Sequence, residues 1–577
     1  MLNHANHKND IKLRAGIVFC IILLMTAVLV TALYRLQVSD AEKYVLLSDK
    51  NRIRVLPILP RRGHIITSDG KIVAGNTCRY KLIMERCNEK IFRENMILLE
   101  QCISLEEDDR TRVDDHKNKH APFVIIKDGL SWDEYSRVSM VLFRLNGVSV
   151  ENTYIRNYLA PLEFSHVVGY TSKNDGNIQI LVGKTGIEYV LNDQLIGKIG
   201  NLQIEVNAVG KKVRVIDSQD PIDGKDVVIT IDSRLQEYVY NVISEEKAGA
   251  CIVLDISTGE VLVMVSVPAF DLNTVSNKMT RSQWNSIVND PLFPLMNRAT
   301  SCAYPPGSIF KIVVAFAALS EGIISPKDKI FCGGGVKLDN HVFHCWNRGG
   351  HGWMDVCNAL KFSCDCYFFE IAKKLGIDTL VKYARKFGFG AETGVELPNE
   401  SVGLLPTKKW KILRYGTSWK PYETMIAGIG QGSLLSTLMQ SAVMFGKIYT
   451  GDYDFSPTLI KGDKEKRIRN PIDSEHLETL KNALYQVCVS GTAAGSCRTN
   501  YGISGKTGSS QVRKIKDHEA GVSQKLVQWK LRDHAFFVGC APYKNPRYVV
   551  AIFVEHGGGG ASVAAPIARK IFDKLME

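Results

Sequence analysis

The chain has 577 residues, 45% hydrophobic and 23% charged; this is the composition of a globular protein of roughly two to four domains, which excludes disorder as the default state. The formal net charge is +12, yet lysine and arginine are interleaved with nearly as many acids. With no RNP, zinc-finger or helix-turn-helix pattern, nucleic acid is excluded as a partner, and an anionic surface or polymer is the more modest inference.

Residues 15–34, AGIVFCIILLMTAVLVTALY, are uncharged and almost wholly apolar, long enough as a helix to cross a hydrocarbon core of about 30 Å. A cleavable signal peptide would have a shorter apolar core, and no small-x-small site precedes RLQVSDAEKY. An uncleaved anchor in membrane lipid is therefore expected behind a short arm, 1–14. Lys8, Lys12 and Arg14 on one flank face Arg35, Lys43, Lys50, Arg52 and Arg54 on the other, so charge alone does not orient the span. A short arm ahead of a long body favours the N-terminus inside and the bulk outside. Later apolar runs, CIVLDI and VLVMVS, are short and broken by turn residues, and no second span is expected.

The body divides near residue 225 into an α+β arrangement of two domains. In 35–225, strand-like segments (RGHIITSDG, YKLIME, HVVGYTS) mix with polar helical ones, which suggests an elongated mixed α/β pedestal without a catalytic constellation. Its charged run LEEDDRTRVDDHKNKH (105–120) reads as a solvated loop or helix surface. In 226–577, VVITIDSRLQEYVYNVISEE predicts a strand, a cap at Asp232 or Ser233, and a helix. CIVLDI-STGE-VLVMVS predicts a hairpin turning at Gly259. HAFFVGCA and RYVVAIFVEH add two strands, and VAAPIARKIFDKLM a helical tail. The sum is an antiparallel sheet flanked by helices.

Within this second domain YPPGSIFKIVVAFAALSEG (304–322) delivers Ser308 from a Pro-Pro-Gly turn to the start of an apolar helix. Ser308 and Lys311 share a helix face. A neutral lysine there can take the serine proton, and the helix N-terminus favours developing negative charge, so a nucleophile is activated without histidine. Ser-x-x-Lys alone is weak, because about one or two arise by chance in such a chain and most are solvated helix faces. Two more elements accompany it. YGISGKTGSSQV (501–512) carries Lys506, Thr507 and Gly508 on a strand-like run in which Gly505 and Gly508 permit close approach of a ligand or backbone. Alone, it reads equally as a tight turn with an exposed lysine. KFSCDCYFF (361–369) places Ser363 and Asp365 after a helix-like segment.

Together, Ser308-x-x-Lys311, Ser363-x-Asp365 and Lys506-Thr507-Gly508 resemble the penicillin-recognising serine enzymes. LMNRATSCAYPPGSIFK, GIGQGSLLSTLMQ (428–440), SHVVGY and GKTGIEYVLNDQLIGKIG extend the resemblance over nearly the whole chain, to the class B penicillin-binding proteins. No glycosyltransferase-like stretch separates anchor from pedestal, which fits class B rather than the bifunctional class A. Asp365 stands where many relatives carry Asn, a variant similar to the penicillin-binding protein 2 branch, the transpeptidases of wall elongation. Leu438 replaces a common proline, and three cysteines cluster around the second motif.

The resemblance implies a peptidoglycan D,D-transpeptidase that maintains cell shape. Ser308 would attack a stem peptide ending in D-Ala-D-Ala, expel the last D-Ala and hold an ester until a neighbouring amine resolves it. Lys311 would be the base, Ser363 a proton relay tuned by Lys506, and Asp365 would orient the substrate amide or Lys311. Lys506 and Thr507, with Gly508 and Ser509, would hold the terminal carboxylate. The N–H groups of Ser308 and Ser509 would serve as oxyanion donors, a device that lowers such barriers by about 3–4 kcal/mol elsewhere. β-Lactams would acylate Ser308. Because wall peptides lie outside the cytoplasmic (inner) membrane, the bulk would be periplasmic, and a membrane-embedded glycan polymerase of the elongation complex is an implied partner. Arg513, Lys514 and Lys516 form a basic run that reads first as a solvated loop and second as a holder of anionic precursor. A penicillin-sensing receptor would be expected to carry several spans or a signalling domain, and a non-catalytic scaffold would not need Ser308.

Fourteen cysteines are compatible with a disulfide framework in an exported protein, but Cys20 lies in the anchor and Cys251, Cys302 and Cys540 sit in core-like runs. Cys332, Cys345, His351 and Cys364 offer three thiolates and an imidazole, a set suited to one structural zinc ion. On chemistry alone, disulfides among Cys332, Cys345, Cys357, Cys364 and Cys366 compete nearly equally, though an odd count leaves one unpaired. The resemblance favours zinc, because penicillin-binding protein 2 relatives carry a metal site in a W-x-x-x-GHG context and CWNRGGHG stands there. His344, Cys357 and Cys366 are reserve ligands or buried thiols. Alternation along an extended loop would aim Ser363 and Asp365 at the cleft and Cys364 at the metal.

Overall fold

The computed structural model describes residues 3–42, 52–85, 87–116, 123–174, 180–206, 212–277, 279–462, 469–472, 474–513 and 524–577. Lys43, Lys50, Lys514 and Lys516 lie outside the described residues, as does 117–120 of the charged run. Contacts divide the chain into two units that do not follow chain order. One holds Met1–Pro60, Tyr80–Asn152 and Gly197–Asp223, the other Arg61–Arg79, Thr153–Ile196 and Gly224–Glu577.

In the first unit the apolar segment is helical over Asn3–Tyr34 and runs into a π-helical turn, Arg35–Ser39. The stretch Lys12–Ser39 is long and apolar enough to cross a membrane. Side chains such as Leu24 and Leu29 are exposed along it, an arrangement stable in hydrocarbon, where the helix also satisfies its own backbone. Ile53–Ile58, Gly200–Val206 and Lys212–Gln219 form a three-stranded antiparallel sheet. The end of strand Ile72–Glu85 pairs with Phe123–Leu130, and helices Glu89–Glu100 and Trp132–Val141 cover a core of Leu82, Met84, Leu99, Ile126 and Val138. The charged run is a helix over Glu107–His116.

The pedestal portion of the second unit is built around Glu188, which is fully buried and accepts from Arg62 Nε and Arg156 Nε, each at 2.6 Å. Here the strand expected through HVVGYTS is corrected. Ser165–Val168 is a single helical turn, and only Thr171–Lys173 is strand. Val167 and Val168 are both fully buried, which a half-exposed strand would not permit because its side chains alternate between faces. Gly169, at φ +75°, ends the turn.

The C-terminal body matches the expected α+β plan. Asp232 caps helix α1 (Ser233–Ile243) by accepting from the N–H groups of Arg234 and Leu235. Strands β1 (Gly249–Asp255) and β2 (Glu260–Val267) make the predicted hairpin, with Gly259 at φ +77°. Helices α2 (Lys311–Ser320), α3 (Asp365–Lys386, kinked at Gly376) and α4 (Leu438–Thr450) follow. Strands β3 (Ser504–Ser510), β4 (His534–Ala541) and β5 (Tyr548–Val554) and helix α5 (Ala565–Met576) complete it. The five strands pair antiparallel in the order β2-β1-β5-β4-β3. Alternate residues face opposite cores. Ile252, Val538 and Ala551 join α2, α3 and α4, whereas Cys251, Phe537 and Ile552 join α1 and α5. Helices cover both faces, so β4 is buried at every position and reads as an unbroken apolar run. β3, made of small residues apart from Lys506, pairs with β4, and no second strand pairs with it among the described residues.

Candidate active site and metal centre

Ser308 sits in a 3-10 turn, Gly307–Ile309, that leads into α2. Gly307 is at φ +57°, its N–H donates to Gly430 O at 2.9 Å, and a Cβ on it would lie 2.6 Å from Ser509 O. A Cβ on Gly430 would lie 2.0 Å from Gly307 O. The serine turn, the Gly430 loop and β3 are thus pressed together where only glycine fits. Gln431 Nε2 closes the corner by donating to Ser509 O at 2.9 Å.

Lys311 is fully buried. Its Nζ donates to Asp365 Oδ1 at 2.6 Å, Ser363 O at 2.9 Å and Ser363 Oγ at 3.2 Å. Asp365 is thus in contact with Lys311, one of the two tasks expected of it. Among the described residues Ser308 Oγ has no hydrogen bond, although the serine precedes Lys311 by one turn. Lys506, on β3, is also fully buried and donates to Thr507 O at 3.2 Å. Burial pushes its ammonium well below the ordinary lysine range, the charge of Lys311 adds to this, and Asp365 opposes it. Thr507 Oγ1 shares a hydrogen bond with Thr492 Oγ1, while Ser509 is exposed and accepts from Gly560 N at 3.3 Å.

Ser363 owes its place to a helix ending. After helix Val356–Lys361, Ser363 N–H donates to Leu360 O and Cys364 N–H to Ala359 O, the paired bonds of a Schellman motif. Its left-handed position usually belongs to glycine, yet Ser363 stands there at φ +54°. Cys364 then caps α3, of which Asp365 is the first residue. The three side chains diverge through this turn, rather than through the alternation of an extended loop.

On the far side of the turn, ligand atoms of Cys332, Cys345, His351 and Cys364 lie within 4.8 Å of one another. His351 Nδ1 is 3.6 Å from Cys332 Sγ and 3.5 Å from Cys345 Sγ. A tetrahedral zinc with ordinary bond lengths separates nitrogen and sulfur ligands by roughly 3.6 Å, so the donor set fits that ion. Cys345 is held well below the ordinary thiol range, because Cys364 and Cys366 donate to its sulfur and the backbone N–H groups of Asn347 and Asp365 point at it. All fourteen cysteines are free, and none of the disulfides that competed with zinc on chemical grounds is present. Of the reserves, Cys366 borders the cluster, His344 is exposed, and Cys357 turns to Thr479 O at 3.9 Å.

A family model described as the penicillin-binding protein transpeptidase domain matches residues 249–573, and one described as the penicillin-binding protein dimerisation domain matches 57–229. The chain is 32% identical to the peptidoglycan D,D-transpeptidase MrdA of Haemophilus influenzae, over 98% of this chain and 91% of that one. The MrdA of Escherichia coli K12 is also 32% identical, over 98% and 94%. The chain belongs to the class B penicillin-binding proteins. In structure this penicillin-binding protein is similar to the complex of PBP2 and MreC from Helicobacter pylori, with TM-score 0.80, 27% identity, and 91% and 99% of the two chains covered. Pseudomonas aeruginosa PBP2 is similar at TM-score 0.68 and 29% identity, covering 90% and 96%.

The three motifs of this penicillin-binding protein come together, Gly307 against Ser509 and Lys311 against Ser363 and Asp365, and Cys332, Cys345 and Cys364 gather with His351 beside them. Sequence reasoning passed over three residues there. Gly430 and Gln431 were signalled only by two glycines flanking a glutamine. Trp346 stood in the W-x-x-x-GHG context, which was read only for its candidate metal ligands.

Proposed function

We infer that this class B penicillin-binding protein is a peptidoglycan D,D-transpeptidase of cell-wall elongation, acting through a serine acyl-enzyme. It crosses the inner membrane once, with its bulk in the periplasm. We divide the chain as a cytoplasmic arm, 1–14, a span, 15–34, a pedestal, 35–225, and a transpeptidase domain, 226–577. The observation that carries the assignment of roles is the buried pair of lysines around one carboxylate, next to a serine on a helix-initiating turn.

Ser308 Oγ attacks the carbonyl between the two D-Ala residues, and Lys311, one turn on, takes its proton. At rest Lys311 is paired with Asp365 as an ammonium, so its Nζ must first pass a proton to the neutral Nζ of Lys506 before it accepts that of Ser308. Lys506, driven toward its neutral form by burial, supplies the capacity for that. Ser363 Oγ, within reach of Lys311, returns a proton to the departing amine of D-Ala. Lys506 and Thr507 hold the terminal carboxylate along the edge of β3, with Gly508 keeping the strand flush and Ser509 lending its N–H with that of Ser308 to the oxyanion. Attack by the amine of a second stem peptide reverses the proton path and releases the cross-linked product; a β-lactam stops at the ester.

Cys332, Cys345, His351 and Cys364 would hold one zinc ion, which in a closed tetrahedral set supplies structural stability rather than reactivity. One relative is described as a peptidoglycan synthase complex that coordinates polymerization and crosslinking, with TM-score 0.71 and 26% identity over 97% of both chains. That likeness supports a membrane-embedded glycan polymerase as partner. Labelling of the full chain with a fluorescent penicillin tests the reading. Label is expected on the wild type and absent from Ser308→Ala; equal labelling of both defeats it.

A further inference from the structure

Trp346 has no part in the roles assigned above, yet it touches the second motif at two points and the residue before it at a third. Its backbone N–H donates to Asp365 Oδ2 at 2.8 Å. Its indole Nε1–H is shared between Phe362 O and Ser363 O, each at 3.1 Å. Ser363 O is the same oxygen that accepts from Lys311 Nζ at 2.9 Å. The ring lies 5.3 Å from that of His351 and remains 61% exposed.

These contacts address a strained point. A serine in the left-handed region costs about 1–2 kcal/mol relative to ordinary backbone, and such conformers persist where surrounding contacts over-determine them. The N–H groups of Ser363 and Cys364 are satisfied by the preceding helix. Its carbonyl, by contrast, depends on Lys311 from the core and on Trp346 from the solvent side. If the indole bond is lost, Ser363 O keeps only the lysine, and that lysine must also move a proton during the reaction.

We propose that the indole N–H of Trp346 is a latch that holds Ser363 in register with Lys311, making Trp346 a positioning residue for acylation. The inference rests on the transpeptidase reading above. It goes further by giving the exposed aromatic beside the metal cluster a task in the chemical step. The backbone N–H of Trp346 orients Asp365 regardless of side chain, so only the indole bond distinguishes tryptophan from other rings. A purely structural tryptophan would instead act on folding or on metal retention.

The variant Trp346→Phe keeps the backbone bond and an aromatic face and deletes the indole donor. Stopped-flow acylation of the full chain by a fluorescent penicillin separates the dissociation constant of the first complex from the acylation rate constant. Loss of one neutral hydrogen bond predicts that the rate constant falls about 5–10-fold, with the dissociation constant within about twofold of wild type. Zinc content by elemental analysis and melting temperature should match wild type. An unchanged rate constant overturns the latch, and so does a loss of zinc or melting temperature in parallel with rate. If wild-type protein is not acylated at all, the transpeptidase reading fails instead, and Ser308→Ala in the same series separates the two failures.

Discussion

Two buried charge clusters in the same compact unit share one stoichiometry, two basic side chains around one carboxylate. In the pedestal portion Arg62 and Arg156 each meet Glu188 at 2.6 Å. In the catalytic domain Lys311 meets Asp365 at 2.6 Å, and Lys506 is buried near both. Burying charge is unfavourable in each case, and the choice of cation decides what relieves it. Arginine stays protonated in proteins and presents a rigid fork, so the first cluster keeps its charge and answers with fixed bonds to Gly63 O, Leu181 O and Asn192 Oδ1. Even so, Arg156 Nη2 is buried without a partner among the described residues. Lysine gives up its proton when desolvated, so the second cluster relieves its excess charge at Lys506. One cluster is a fastener; in the proposed mechanism the other moves a proton.

The comparison breaks most sharply at Lys311. Lys311→Ala should lower the penicillin acylation rate per folded molecule by about 10²–10⁴-fold, the range of a lost general base. Lys311→Arg should fail almost as badly, since a guanidinium keeps the ion pair but cannot take a proton; recovery of rate in that variant would place the base elsewhere. Glu188→Ala should do the opposite. Leaving two buried guanidinium groups without their anion costs about 3–5 kcal/mol of stability by urea unfolding, while acylation per folded molecule stays near wild type. Loss of acylation in the folded Glu188 variant would remove the distinction between the clusters.

Acid should erode the pedestal portion first at His166. Burial, reinforced by Arg298, holds this imidazole down to about 4, although its bond to Pro294 O opposes the shift. The unfolded chain then binds more protons between about pH 6.5 and 4, so this part of the stability is complete above that window. It is lost as pH falls through it, on the order of 3 kcal/mol in all. His166→Gln should flatten that limb in pH-resolved unfolding curves, and an unaltered slope would show that other groups dominate. The smallest effect belongs to an ion pair in water. Lys408 meets Asp378 at 2.6 Å with both side chains mostly exposed, and Lys408→Ala should alter stability by no more than about 0.5 kcal/mol. A larger loss would show that exposure does not rank these pairs.

Much of the site was legible because it is encoded locally. Ser308 and Lys311 are one helical turn apart, Asp232 caps the residues that directly follow it, and Gly259 turns a hairpin whose strands adjoin it. In each case spacing and backbone preference suffice. The four candidate ligands span a short stretch and were picked out by side-chain chemistry with the help of a family resemblance. HVVGYTS misled because two adjacent valines are both buried, and a β-rich composition does not reveal which faces are covered. Trp346 escaped because its importance lies in a hydrogen bond to a carbonyl, which side-chain spacing does not encode.

The sequence by itself determined the anchor, the order of the three motifs, the strand and helix types around them and the candidate ligand set. All of these follow from periodicity, capping and residue chemistry over a few neighbouring positions. Only the tertiary structure decided that Asp365 pairs with Lys311, that Lys506 is stripped of water, that Ser363 takes a left-handed position, and that Glu188 closes on two arginines. Those outcomes depend on groups far apart in the chain arriving at one place. Burial then sets the electrostatics of that place, which no local stretch contains.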